Sequence, residues 1–328
     1  MSVPVTAYDH IYKNNAKTAL LVALFPIALS ALFVGLAFVF FLFSAPETTP
    51  AGTLLSSAWQ SSLTALRMVA PGLAVAALIW MLAALFFGDK IMLSLAHAAP
   101  LTPETPAHRQ IIRAVENVAL AAGLPTPKIY LIDDESLNAF AAGYAPKTSS
   151  VTLTTGLVKK LTPLELEGVI AHEIAHIGNR DVRLNMVVLV GLSICGMLAD
   201  MLGRSFFYGA HRSRGGDKDK GGAQAILLIA WLTLIVFNVI IAPLIFFAIS
   251  RTREYAADAT GALITRNPKA LASALQKISG DARVEVLDET PHMAAACIYT
   301  PRAEARPFLG IGDTHPPVSE RIRRLKAM

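Results

Sequence analysis

Long apolar runs come first along this chain, and shorter amphipathic stretches follow. Leu20 to Phe43 and Met68 to Phe87 are almost unbroken apolar runs, the second with Arg67 at its edge. At 1.5 Å rise per residue each is long enough to cross a bilayer core. The first is not a cleavable signal peptide, because it starts late, is too long and lacks a convincing small-residue cleavage site. Two further runs are Leu184 to Leu202, which contains Asp200, and Ala223 to Ser250, which carries Asn238 and Pro243. Both could span, lie in the interface or pack against a soluble domain.

Between the second and third runs the pattern turns globular. Pro100 to Pro106 reads as a proline-punctuated linker, and His108 to Ala122 as an amphipathic helix ended by Gly123 and Pro125. Lys128 to Ile132, Leu137 to Ala142 and Ser150 to Thr155 read as short strands. A helix follows, with Thr162 as N-cap, Pro163 at its first position and Glu165 closing a capping box. Leu166, Val169, Ile170, Ile174 and Ile177 form its apolar stripe, and Gly178-Asn179 is its stop or kink. The Gly-rich, charged stretch from Gly215 to Gly222 reads as low-complexity linker. Arg251 to Thr265 and an Asn267-capped Pro268 to Ile278 are expected helices, Arg283 to Thr314 is loop, and Val318 to Leu325 is a basic helix. The pattern predicts a mainly α membrane protein: transmembrane helices plus an α+β domain with a small sheet. The expected divisions are 1–87 (tail and two spans), 88–183 (first part of the domain), 184–250 (hydrophobic hairpin) and 251–328 (second part).

Composition supports this. Of 328 residues, 54% are hydrophobic and only 16% charged, which argues for membrane spans. The net charge of +5 fits cytoplasmic loops better than nucleic acid, since no basic groove interleaved with aromatics is present. Cys195 and Cys297 make no disulfide framework, which suits a reducing compartment. Lys13 and Lys17 place the tail in the cytoplasm, and Ser44 to Leu66, free of Lys and Arg, on the far side. The segment after Phe87 then returns to the cytoplasm. Arg204, Arg212, Arg214, Lys218 and Lys220 resist this scheme if both later runs cross. Either the charge rule is broken there, or those runs do not fully span.

The chemistry sits in the capped helix. Residues 172–176 read His-Glu-Ile-Ala-His. Positions four apart share a helix face, so His172 and His176 can both aim an imidazole at one cation. Glu173 lies about 100° round the helix, near enough to take a proton from a water on that cation. A catalytic zinc keeps three protein ligands and an open position. Glu254 is the third candidate; Asp258, four residues on, can fix a ligating ring by accepting its far N–H. The rival reading of that stretch is a solvated helix of Arg–Glu pairs.

These blocks carry a resemblance. Leu137 to Ala141, His172 to Asp181, Ser250 to Asp258, and Thr314-His315-Pro316-Pro317 with Arg321-Ile322 resemble the HtpX family of integral-membrane zinc metalloproteases. That family lies in the gluzincin group, which includes the CAAX prenyl endopeptidases, and the match runs from about Tyr8 to the C-terminus. By analogy the sheet and metal helix would be zincin-like. The resemblance implies that His172, His176 and Glu254 bind one zinc ion and that Glu173 is the catalytic carboxylate. Asp258 and Asp181 are the expected supporting carboxylates. His315 is the first candidate for a donor to the oxyanion, then Arg321 and Tyr255; His315-Pro316-Pro317 could equally be only a turn. Asn138, Ala139, Phe140 and Ala141 form an edge strand for pairing with an extended substrate, or a packed strand with Phe140 in the core, or both.

The resulting expectation is a multi-pass protein of the bacterial inner membrane with its catalytic domain facing the cytoplasm. It would cleave unfolded or damaged membrane proteins, with the lipid bilayer as partner, no nucleic acid, and a homo-oligomer left open. The runner-up within enzymes is a prenyl-protein endopeptidase, although that group has longer chains and more spans. Outside enzymes the alternative is a membrane scaffold, which would be free to lose one of His172, Glu173, His176 or Glu254.

Overall fold

The structure is a computed structural model, and it describes residues 7–46, 48–212, 219–237, 242–280, 298 and 316–328. It is mainly α with one small mixed sheet, as the pattern of apolar positions predicts. Two compact units are present. One is built from Met1–Thr18, Ala83–Val190 and Ile245–Met328, the other from Ala19–Leu82 and Gly191–Leu244.

In the second unit, helices α1 (Ala7–Phe43) and α2 (Ala51–Leu95) supply the long apolar stretches. Thr18–Phe43 and Gly52–Leu95 are long and apolar enough to cross a membrane. Helix α2 starts at Ala51, so most of the stretch that reads as an exterior loop, Ser44 to Leu66, is helical. Its polar residues do not break the helix because their hydroxyls bond back to it. Ser56 and Ser57 donate to carbonyls three residues earlier, and Ser62 and Thr64 to carbonyls four residues earlier. Phe25 stacks on Trp80 at 4.4 Å between ring centroids.

Helix α6 (Asp181–Arg212) contains the third apolar run. Of the fourth run, the described residues belong to α7 (Asp219–Val236) and α8 (Ala242–Thr265), and Asn238 lies outside the described residues. Asp219 to Gly222, expected as linker, opens α7.

In the first unit the sheet order is β1-β2-β4-β3, from Ala99–Pro100, Lys128–Ile132, Ser150–Thr154 and Ala139–Ala142 respectively. Strands β2 and β4 run parallel, and β1 and β3 are antiparallel edges. Strand β1 went unforeseen because two residues, one of them proline, carry no alternation. Between strands, α3 (Pro106–Ala121) is capped by the Thr105 side chain, and α4 (Thr155–Lys160) follows β4 directly. Gly156 at that corner is obligatory, since a Cβ would lie 1.9 Å from the Glu135 carbonyl oxygen.

The metal-helix candidate is α5 (Pro163–Gly178), packed against β3, β4, α3 and α9 (Pro268–Ile278). Its capping box forms: Thr162 Oγ1 accepts from Glu165 N, and Glu165 Oε2 accepts from Thr162 N at 2.8 Å. Glu165 also takes bonds from Ser273 and Lys277, both at 2.6 Å, so the cap tethers α5 to α9. Val169, Ile170 and Ile174 on α5 join Val151 and Leu153 of β4 and Leu271 and Leu275 of α9 in one core. Helix α10 (Val318–Lys326) packs on α9.

Helix α8 crosses α5 at Gly261, where a Cβ would stand 3.1 Å from the His172 nitrogen. The missing side chain lets the two backbones approach closely. That approach brings the acidic residues of α8 to the histidines of α5.

Candidate metal centre and active site

His172 and His176 lie one turn apart on α5 with their rings at 88° and centroids 4.7 Å apart. Their Nε2 atoms are 3.1 Å apart. Glu254, from α8, brings Oε2 to 3.7 Å from His172 Nε2 and Oε1 to 3.6 Å from His176 Nε2. The three residues offer ligand atoms that all lie within 4.8 Å of one another. Four tetrahedral ligands held about 2.0–2.1 Å from zinc lie about 3.3 Å from each other. The observed spacings straddle that value.

The outer nitrogens decide what the inner ones can do. His172 Nδ1 is 2.9 Å from Asp258 Oδ1, and His176 Nδ1 is 2.9 Å from Asp181 Oδ2. The carboxylate beside each ring favours the proton on Nδ1, through a hydrogen bond at His176 and through charge at 2.9 Å with poorer alignment at His172, which leaves the Nε2 lone pairs facing one another. Two lone pairs at that distance repel unless a proton or a cation lies between them. Charge points the same way. Glu173, Glu254, Asp258 and Asp181 are four buried carboxylates, and Arg253 and Arg321 are two buried guanidiniums. When all are ionised the excess is two negative charges, the charge that a divalent ion neutralises. The residues therefore fit such an ion.

Without an ion, a proton does part of this work. Burial pushes His176 down, but the Asp181 hydrogen bond and the charges of Glu254 and Glu173 raise it to about 9. Burial holds His172 below its ordinary value, despite Asp258.

Glu173 is buried, and that burial lifts its carboxyl to about 7 against the opposing pull of His176 and Arg321. The backbone N–H of Ala141 donates to it, so the base candidate is tied to β3. Arg321, from α10, has no exposed surface. Its Nε and Nη2 grip both oxygens of Asp258 at 2.8 Å, and Nη1 donates to the Ile298 carbonyl at 3.1 Å. Burial would raise Asp258, but Arg321 and His172 hold it at about 2. Arg321 Nη1 also stands 3.6 Å from Glu254 Oε2. The Tyr255 ring, by contrast, lies under the Arg324 guanidinium at 3.8 Å. His315 lies outside the described residues.

Ala139, Phe140 and Ala141 lie on edge strand β3, whose partner in the sheet is β4, Asn138 directly precedes it, and all four are buried. Asn138 Oδ1 accepts from Ala139 N. On the outer side of β3, Ala139 O accepts from Ile298 N at 2.8 Å. Ala139 and Ala141 share one face of the strand, and Phe140 occupies the other.

Sequence reasoning passed over Arg253 and Asn185. Arg253 Nη2 donates to Asn185 Oδ1 at 3.0 Å, and Nη1 stands 3.7 Å from Asp181 Oδ1. The available signal was local: Asp181 and Asn185 are four apart at the start of α6, and Arg253 directly precedes Glu254.

Comparison with known proteins settles the family. The model of peptidase family M48 matches residues 106–328. The chain belongs to peptidase family M48. A protease HtpX homolog of Bacteroides fragilis is 37% identical over 318 residues, 96% of this chain and 96% of its own. One from Thermoanaerobacter pseudethanolicus is 45% identical over 246 residues, 73% of this chain and 78% of its own. Among solved structures, S. mikatae Ste24p aligns over 96% of this chain and 66% of its own, with 19% identity and a TM-score of 0.43. That likeness is too loose to bear on mechanism. As an M48 member with two helices apolar and long enough to span, this is a membrane-anchored metalloendopeptidase.

Proposed function

We propose that this M48 peptidase is a zinc endopeptidase in which His172, His176 and Glu254 hold the ion and Glu173 handles the proton. The reading rests on one observation, the convergence of two Nε2 lone pairs and a carboxylate within 4.8 Å. When bound, zinc supplies Lewis acidity, polarising a carbonyl and making water acidic near neutral pH. Asp258 and Asp181 keep both rings in the ligating tautomer. Glu173 takes a proton from the attacking water and returns it to the departing amine. Burial raises its carboxyl, which strengthens it as a base towards that water. Arg321 holds Asp258 and offers positive charge beside the site, and the Ala139–Ala141 edge would receive the substrate backbone in place of Ile298, whose N–H now bonds Ala139 O. His315 and Tyr255 are further candidates for the oxyanion.

The substrates proposed are unfolded or damaged membrane proteins, since backbone pairing along an edge demands little of sequence. Residues 1–87 and 184–250 would carry the membrane-associated helices, and 88–183 with 251–328 the catalytic domain. The placement proposed is the bacterial inner membrane, with the catalytic part in the cytoplasm, as the distribution of Lys and Arg favours.

Casein cleavage by detergent-solubilised protein tests the chemistry. Chelation should abolish cleavage and one equivalent of zinc restore it. Glu173→Gln should retain zinc and lose about 10²–10⁴ in kcat. Glu254→Ala should lose the zinc itself. Equal cleavage by the parent and Glu173→Gln would remove the assigned base.

A further inference from the structure

We infer that Arg253 is a positioning residue of the metal centre: it holds Asp181 against His176 and locks both to the helix that bears Glu254. This deepens the zinc reading above and rests on it.

The two histidines are supported in parallel ways. His172 rests on Asp258, which rests on Arg321. His176 rests on Asp181, whose other oxygen lies 3.7 Å from Arg253 Nη1. The first chain is tight, with two bonds at 2.8 Å between guanidinium and carboxylate. The second is looser at the carboxylate and firmer one turn on, where Arg253 Nη2 meets Asn185 Oδ1 at 3.0 Å. Arg253 therefore hydrogen-bonds the first turn of α6 at Asn185 and faces Asp181 as a charge 3.7 Å away.

That grip matters because α5 and α6 are not one helix. Helix α5 ends at Gly178, α6 begins at Asp181, and Arg180 between them has a φ of +62°. The position of Asp181 relative to His176 is thus not dictated by helical repeat. It depends on what holds the start of α6 in place. Arg253 comes from α8, adjacent to the Glu254 ligand, so the same helix that brings the third ligand also fixes the support of the second. A guanidinium suits this task, because its planar fork can meet two acceptors at once where an ammonium presents a point charge.

Burial sharpens the argument. Arg253 is 9% exposed. A buried cation is retained only where anions and acceptors face it. Here they are Asp181, Asn185 and the Glu254 carboxylate next in sequence. Removing the guanidinium leaves Asp181 with less to hold its charge and its orientation. His176 then loses a fixed acceptor on Nδ1, and its Nε2 becomes a poorer donor to the metal.

The test uses full-length protein in detergent, with zinc affinity read by competition against a chromophoric chelator. Arg253→Met, similar in length but uncharged, should weaken zinc about 10–100-fold and lower kcat with little change in KM. The visible absorption of the cobalt-substituted variant should shift, reporting altered ligand geometry. Arg253→Lys should recover part of the loss. Combined with Asp181→Asn, Arg253→Met should add little to the larger single loss, because both act through His176. Zinc affinity within twofold of the parent and an unchanged cobalt spectrum would overturn the inference, as would losses that add in full. If Arg253→Met does not fold, Asn185→Leu keeps the cation and removes one tether. A several-fold zinc weakening there supports the inference, and unchanged affinity overturns it. Failure of the parent to bind zinc is a different result, one that sinks the proposed function.

Discussion

At the scale of residues, the telling contact is between two nitrogens that should not meet. His172 Nε2 and His176 Nε2 stand 3.1 Å apart because each ring's other nitrogen is claimed by a carboxylate. A proton or a metal ion can relieve that opposition. In the metal-free site His176 titrates at about 9, so at pH 7 it carries the extra proton. A ligating nitrogen needs its lone pair, and zinc must displace that proton. Zinc uptake at pH 7 is expected to release about one proton. Apparent affinity should rise with pH until about 9, where the competition ends. Calorimetric titration in two buffers of different ionisation enthalpy measures this. Identical heats in both would show that His176 is already neutral. The pentapeptide put the two histidines on one helix face because a spacing of four is a local property of a helix. The supporting groups were less legible. Asp258 followed from its spacing to Glu254, whereas Arg253 looked like any charged residue after an apolar run.

At the scale of elements, the cap of α5 does more than start a helix. Glu165 accepts from Thr162 N within the box and from Ser273 and Lys277 of α9 beyond it. Burial alone would raise its carboxyl, but the bonds from Lys277, Ser273 and Thr162 win and hold it at about 2. A carboxyl lowered on folding stabilises the fold above its unfolded value of about 4.5 and loses that contribution as pH falls towards 2. Glu165→Gln should therefore cost about 1–2 kcal/mol near neutrality, allowing for the partly exposed Lys277, and flatten the acid limb of the stability curve. Denaturant unfolding of the metal-free protein at pH 7, 5 and 3 would measure it. A parallel downward shift of the whole curve would assign Glu165 only a packing role. The capping box was readable from Thr162 and Glu165; its tie to α9 was not, because Lys277 is far away in sequence. The same holds for α2, whose serines and threonines read as loop but sit in a helix by bonding back to it.

At the scale of the whole chain, the charge pattern gives an expectation for orientation that labelling can test. Lys13 and Lys17 precede the first span, and the connection between α1 and α2 carries no Lys or Arg. Cysteines placed at Thr49 and at Thr102, with Cys195 and Cys297 replaced, should report opposite sides of the membrane. In spheroplasts an impermeant maleimide is expected to label Thr49→Cys at once and Thr102→Cys only after lysis. The reverse pattern would place the catalytic centre outside the cell. Among the described residues two helices meet the length and apolarity of a span, and α7 contributes a shorter apolar helix at Gln224–Val236. Length and composition made the first two legible.

By itself the amino-acid sequence determined what could be settled within a turn or two of chain. It placed the histidine pair on one face of a capped helix, put β2 at Lys128–Ile132 and α9 at Pro268–Ile278, and marked the two long apolar helices. Only the tertiary structure decided which distant groups meet them. Glu254, Arg253 and Arg321 reach α5 and the start of α6 from helices far along the chain. They arrive because Gly261 lets α8 lie against the His172 backbone and because α10 is seated on α9. Such meetings depend on the shapes of packed surfaces, which no local spacing encodes.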